Sequence, residues 1–143
     1  MTLALIATAI ATQITDELGG TANPVIENLQ VEDRRHPNPT PPAIDVYPGS
    51  PWTEVIGYGN QRQYWFNVRA RVGTGDNESG QDLLLAMMDN ETAQSVEAAI
   101  RSTKTYAGAQ LGDIEALDYG LMSDLDAQGE SFLGCLWRVA LIP

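Results

Sequence analysis

The first twenty residues carry apolar side chains at the spacing of an amphipathic helix. These apolar positions recur every three or four residues, as on one buried helical face: Leu3, Ile6, Ala7, Ile10, Ile14 and Leu18. Thr2 precedes them and is a residue type that caps helix N-termini. Gly19 and Gly20 follow them and favour the end of a helix. The pattern predicts a helix that begins after Thr2 and ends at the glycine pair.

Strict alternation of apolar and other residues makes 63–74 the clearest strand in the chain. One side of the alternation is apolar and is predicted to face the core: Tyr64, Phe66, Val68, Ala70 and Val72. The other side carries Trp65, Arg69 and Arg71. Because tryptophan and arginine are enriched in interface hot spots, we expect this row to face water or a partner. The alternative is that helices cover this face too and Trp65 belongs to the core.

A first short helix is predicted after this strand. Ser79, with Asp82 three residues later, resembles a capping box. The apolar side of the helix is formed by four residues: Leu83, Leu84, Met87 and Met88. We expect the helix to end near Asp89 and Asn90, which favour turns.

A second short helix is predicted directly after the first. Thr92 is placed to cap it. Val96 and Ile100 then point inward, while Glu97 and Arg101 form an exposed pair at the favourable i, i+4 spacing. The two segments together predict a central helical pair.

The C-terminal part predicts a hairpin of two strands, 114–123 and 132–142, joined by the polar connection 124–130. In the last strand the alternation turns Trp137 toward the core and Arg138 outward. Cys135 lies on the Trp137 side, where a buried, reduced thiol is expected. Strands around segregated helices predict one α+β domain over 1–143, with a largely antiparallel sheet on which the N-terminal helix and the central helical pair pack.

The segment 34–42 holds four prolines and two arginines, a composition that fits neither a helix nor a central strand. We expect it to form a loop or arm that leads into a strand at 43–47. Its arginines, Arg34 and Arg35, are candidates for contact with a partner.

Charge and residue counts argue against several classes of function. With a formal net charge of -11, the chain is not expected to bind a nucleic acid backbone over a broad surface. His36 is the single histidine and lies in the arm, so a histidine-based catalytic group is not expected. The N-terminus has no basic region before its apolar stretch, which argues against an export signal, and no membrane span is expected. We expect no enzyme, catalytic residue, metal or cofactor.

The order of elements resembles the tail terminator family of long-tailed bacteriophages. The features that carry the resemblance are the N-terminal helix, the proline segment leading into 42–48, the strand 64–72, the helical segment 95–100 and the closing strand 133–139. The resemblance implies a virion protein, assembled in the host cytoplasm, that forms a homohexameric ring at the head-proximal end of the tail. Such a ring ends tube growth at the neck and joins the tail to the head.

The implied partners are other copies of the chain, the tail tube protein and a head-tail connector or stopper protein, with the tail sheath as a further candidate. DNA passes through the lumen without specific binding, which suits the C-terminal segment 105–143 with six acidic residues against one arginine.

Candidate assembly residues are Arg34, Arg35, Trp65, Arg69 and Arg71. Alanine at Arg69 and Arg71 is expected to weaken assembly and leave the monomer folded. The alternatives are another neck component, such as an adaptor or stopper, and a small acidic enzyme or ligand-binding domain.

Overall fold

A mixed sheet of six strands lies at the centre of the chain, in a computed structural model that describes residues 2–20, 24–35, 41–57, 61–73, 78–123 and 131–143. In chain order the strands are β1 Gln30–Glu32, β2 Ala43–Val55, β3 Arg62–Gly73, β4 Thr105–Tyr106, β5 Ala109–Ser123 and β6 Ser131–Ile142. Their order across the sheet is β1-β2-β3-β6-β5-β4. The pair β1 and β2 is parallel, and the other neighbours are antiparallel. The predicted α+β class with a largely antiparallel sheet is confirmed.

The helices are α1 Leu3–Ile14, α2 Glu78–Met88 and α3 Val96–Arg101 within the described ranges. The Thr2 hydroxyl accepts the N–H of Leu5 at 3.3 Å, so the predicted cap of α1 is confirmed. A wider π-type turn, Thr15–Gly19, continues α1 and buries Leu18. The helix therefore spans the predicted segment, but its last turn is π-helical and not α-helical.

The predicted start of each short helix is wrong. The first helix begins at Glu78, so Ser79 lies inside its first turn and is not its capping residue. In the second helix Ser95 is the cap, since its hydroxyl accepts the N–H of Ala98 at 3.1 Å. The Thr92 hydroxyl instead donates to the backbone oxygen of Ala86 at 2.5 Å, which ties the connection to α2.

The main core lies between the helices and one face of the sheet. The sheet contributes alternate residues that are fully or nearly fully buried, as the strand pattern predicted: Phe66, Val68, Ala70, Trp137, Val139 and Leu141. The helices contribute buried residues at helical spacing: Ile6, Ile10, Ile14, Leu84, Met87, Val96 and Ile100. The inward positions predicted for Trp137, Val96 and Ile100 are thus confirmed.

The terminal hairpin is confirmed, with β5 and β6 paired from Gln110 and Ile142 to Ser123 and Ser131. Its connection, 124–130, lies outside the described residues, as does the middle of the predicted arm, 36–40. Strand β2 extends eight residues past the predicted end at Tyr47, with an irregularity between Pro48 and Thr53. The strands β1 and β4 were not predicted, because three and two residues are too few for a period to appear.

The cap of α3 provides a test of the corrected helix start. Ser95→Ala is expected to lower the free energy of unfolding by about 1 kcal/mol, since the Ala98 N–H loses its partner. Ser102→Ala at the exposed end of the same helix is the control and should change stability by less than about 0.5 kcal/mol. Urea denaturation of both variants measures the difference; equal losses would contradict the assignment.

Candidate assembly interface

A buried ion cluster occupies the sheet face opposite the helices. Asp45 on β2 pairs directly with Arg69 on β3, which places their side chains on the same face. Arg69 Nη2 lies 2.5 Å from Asp45 Oδ2, and Arg71 Nη2 lies 3.0 Å from both carboxylate oxygens. Arg69 and Arg71 are only 6% and 1% exposed. The prediction that these two arginines face water is therefore wrong.

Trp65 is also buried, but it is absent from the hydrophobic cluster that the helices form with the sheet. Its indole N–H donates to Glu54 Oε2 at 2.9 Å, and the Arg138 guanidinium carbon lies 3.4 Å from the centre of its ring. This hydrogen bond, with a second from Gln63, lowers the pKa of the Glu54 carboxyl. Trp65 is thus covered by polar neighbours from adjacent strands.

Because of this ion cluster, substitutions at Arg69 and Arg71 would affect the stability of the chain as well as any assembly contact. Both guanidinium groups balance the buried Asp45 carboxylate. Removing either partner of a buried ion pair leaves a charge poorly compensated. Alanine at these positions would therefore lower the stability of the chain itself and would not isolate an assembly contact.

The two arginines at the start of the arm are exposed. Arg34 has a largely solvent-accessible side chain and forms an ion pair with its neighbour Asp33 at 3.4 Å. The Arg35 guanidinium lies 5.4 Å from the centre of the Tyr47 ring on β2. Of the five predicted interface residues, Arg34 and Arg35 are accessible to a partner of the single chain, whereas Trp65, Arg69 and Arg71 are not.

Two sheet edges lack a neighbouring strand over most of their length within the described residues. Strand β4 pairs with β5 only at Ala109 and Gln110, and the Leu111 N–H donates to the backbone oxygen of Lys104. We call the outer edge of 112–123 the β5 edge. Strand β1 pairs with β2 only at 43–45, which leaves the outer edge of 46–55 uncovered; we call this the β2 edge.

Exposed apolar side chains concentrate at these two edges. Leu117 and Tyr119 lie on β5, and Trp52 and Val55 lie on β2; each is about half exposed. They are four of the seven large apolar side chains that are exposed in the described part of the chain. Sequence reasoning missed them because a strand edge is visible only after the strands have been paired.

No group of three His, Cys, Asp or Glu side chains among the described residues is arranged to hold a metal. A shallow depression of about 320 Å³ is lined by Asp16, Glu32 and Asp33 with several threonines. The Thr8 hydroxyl donates to Asp33 at 2.7 Å and is the main cause of a lowered pKa for that carboxyl. A general acid at neutral pH needs a raised pKa instead.

Cys135 is buried at the core, as predicted, and burial raises the pKa of its thiol to about 11. The unfolded pKa is lower, near 9. Stability is therefore unaffected by this group below about pH 9 and falls as the pH rises from 9 to 11, because only the unfolded chain then loses the proton.

Alkaline unfolding tests this effect. Between pH 9 and 11 the wild type is expected to lose about 2–3 kcal/mol more stability than Cys135→Ala, at 1.36 kcal/mol per pKa unit. At pH 8 a thiol reagent should label the wild type only as fast as it unfolds. Rapid labelling of the folded protein, or parallel stability curves, would contradict a buried, protonated thiol.

No helix within the described ranges has the length and apolar character needed to cross a membrane. Comparison with known proteins finds no matching protein-family model and no significant match among curated proteins. Function is therefore inferred from the residues and the fold.

Proposed function

We propose that the chain is a structural subunit of a tail terminator ring in a long-tailed bacteriophage. The observation that carries the proposal is a pair of edges on opposite sides of one sheet that no described strand covers over most of their length, each with exposed apolar side chains. Exposed strand edges and apolar side chains favour association with other chains. The identity of the ring is taken from the resemblance of the sequence to that family.

The placement of the two edges supports a ring over a two-fold dimer. Contacts between two different surfaces of identical subunits are head-to-tail, and they close into a ring when the rotation between subunits permits. The β5 edge and the β2 edge are different surfaces and lie on opposite sides of the sheet. A sixfold ring that seats on the last ring of the tail tube is the assembly the resemblance implies.

The acidity of the whole chain suits a channel for DNA. The chain has 19 acidic residues against 8 lysines and arginines, a net charge of -11. A lumen with this sign of charge repels phosphate and lets DNA pass without binding it. The proposed localisation is the virion neck, where the ring contacts the tail tube, a connector or stopper protein and, in a contractile tail, the sheath.

Electron microscopy of the protein mixed with tail tubes of the phage that encodes it tests this function. Density over one end of each tube, together with shorter tubes when the protein is present during assembly, is the expected result. Density at isolated head portals with bare tubes would favour an adaptor or stopper. Absence of the protein from both would overturn assignment to the neck.

A further inference from the structure

We infer that neighbouring copies join by placing the β5 edge of one copy against the side of the next copy that carries Arg34, Arg35 and the β2 edge. We call that second surface the arginine side. This inference rests on the proposed ring and names the contact that would form each of its seams. The occupant of each edge is a second copy of the chain.

Charge disfavours the simplest alternative, in which two β5 edges pair with each other. Asp113, Glu115 and Asp118 are all exposed on β5. Two such edges would bring like charges together, which destabilises cross-strand pairs. Contact of the β5 edge with a different surface of the second copy is therefore favoured.

The arginine side carries three exposed arginines close to the sheet, together with the acidic residues Glu32, Asp33 and Glu54. Asp33 bonds to Thr8 and Arg34, and Glu54 bonds to Gln63 and Trp65, within the same chain. Arg34 and Arg35 are exposed directly after β1, and Arg62 is exposed at the start of β3, beside the end of β2. The other exposed basic residues of the described chain, Arg101 and Lys104, lie near the β4 end of the sheet. Opposite charges on facing surfaces steer and orient association.

The strand register places the opposite charges at similar heights on the two sides. One row across the sheet runs from Tyr47 through Asn67 and Arg138 to Glu115. Arg35 lies against Tyr47 at the start of this row. The next row on the same face runs from Asp45, which is buried with Arg69 and Arg71, to Asp118. A second copy placed beside the first with little sliding brings its Glu115 level with Arg35.

Apolar side chains on both surfaces add to the contact. Leu117 and Tyr119 lie on one side, and Trp52 and Val55 lie on the other. The Trp52 ring stacks on Tyr64 of the neighbouring strand β3, with ring centroids 6.2 Å apart. Pro48 and Pro51 have no N–H to donate, so we expect side chains rather than an unbroken backbone ladder to carry the contact on β2.

Charge reversal with rescue tests the seam. We expect Asp113→Lys with Asp118→Lys to weaken association by at least about tenfold, and Arg34→Glu with Arg35→Glu to do the same, because each brings like charges together. A chain carrying all four changes restores opposite charges and should form the oligomer again. The matched control, Asp82→Lys with Glu91→Lys, alters exposed acids away from both edges and should assemble as the wild type does.

Sedimentation velocity over a range of concentrations measures association, and far-UV circular dichroism checks the fold of each variant. If the reversed variants associate as well as the control, or if the chain with all four changes does not associate again, the proposed seam is wrong. The proposed ring is not contradicted by that result. If the wild type never associates, the proposed ring fails as well.

Cross-linking covers the case in which a reversed variant fails to fold. Leu117→Cys and Trp52→Cys are prepared separately in a Cys135→Ala background and treated with a short bis-maleimide. Linked dimers should form in the mixture and be at least about tenfold rarer in either sample alone, since heterologous contacts bring unlike surfaces together. Equal linking within one sample would overturn the inference.

Discussion

Replacing Asp45 by Asn is expected to lower the free energy of unfolding by about 3–5 kcal/mol, the cost of breaking a buried ion pair from one side. Asp45 is 1% exposed and accepts hydrogen bonds from both Arg69 and Arg71. Asparagine keeps the volume but removes the negative charge, so two buried guanidinium groups lose the charge of Asp45. The effect arises from uncompensated charge and not from a cavity.

The control for this prediction is the exposed pair of Glu97 and Arg101, whose charged atoms lie 3.3 Å apart. Glu97→Gln should cost only about 0.3–0.5 kcal/mol, because water screens a surface pair at this spacing. Urea denaturation of both variants at neutral pH measures the contrast. A loss below about 1 kcal/mol for Asp45→Asn would show that Asp45 is not the counter-ion of a buried cluster.

The second large effect concerns two adjacent leucines on α2. Leu84 is fully buried in the core, whereas Leu85 is 56% exposed. Leu84→Ala is expected to cost about 2–5 kcal/mol, because it removes buried methyl groups and leaves a cavity. Leu85→Ala makes the same chemical change on the outer side and should alter stability by less than about 0.5 kcal/mol.

Thermal and chemical denaturation of the two leucine variants separate burial from helix propensity, which the two substitutions change equally. Similar losses for both would mean that α2 is rotated about its axis relative to the sheet. The comparison thus tests the placement of the helix layer directly.

The regular elements could be predicted because their periods are long enough to recognise. Five alternations fix the face of β3 on which Phe66 and Val68 lie, and the inward position of Trp137 follows in the same way. Helix caps are harder to predict. Thr92 and Ser95 are both suitable capping types three residues apart, and only the bond from Ala98 to Ser95 distinguishes them.

The ion cluster could not be predicted from the sequence, for a physical reason. Alternation along β3 places Arg69 and Arg71 opposite the core, and charged residues there are normally solvated. Their burial depends on the register that sets Asp45 across from Arg69, 24 residues away. The open edges depend on pairing in the same way, because Leu117 and Trp52 look like ordinary strand residues until the neighbouring strands are known.

Native mass spectrometry of the purified wild-type chain shows whether identical subunits form a closed ring. A ring of the proposed size appears as a single discrete assembly of six copies of the 15.5 kDa chain, alone or when tail tubes are added as a template. A chain that stays monomeric in both conditions, or that stops at a two-fold dimer, would contradict the proposed ring.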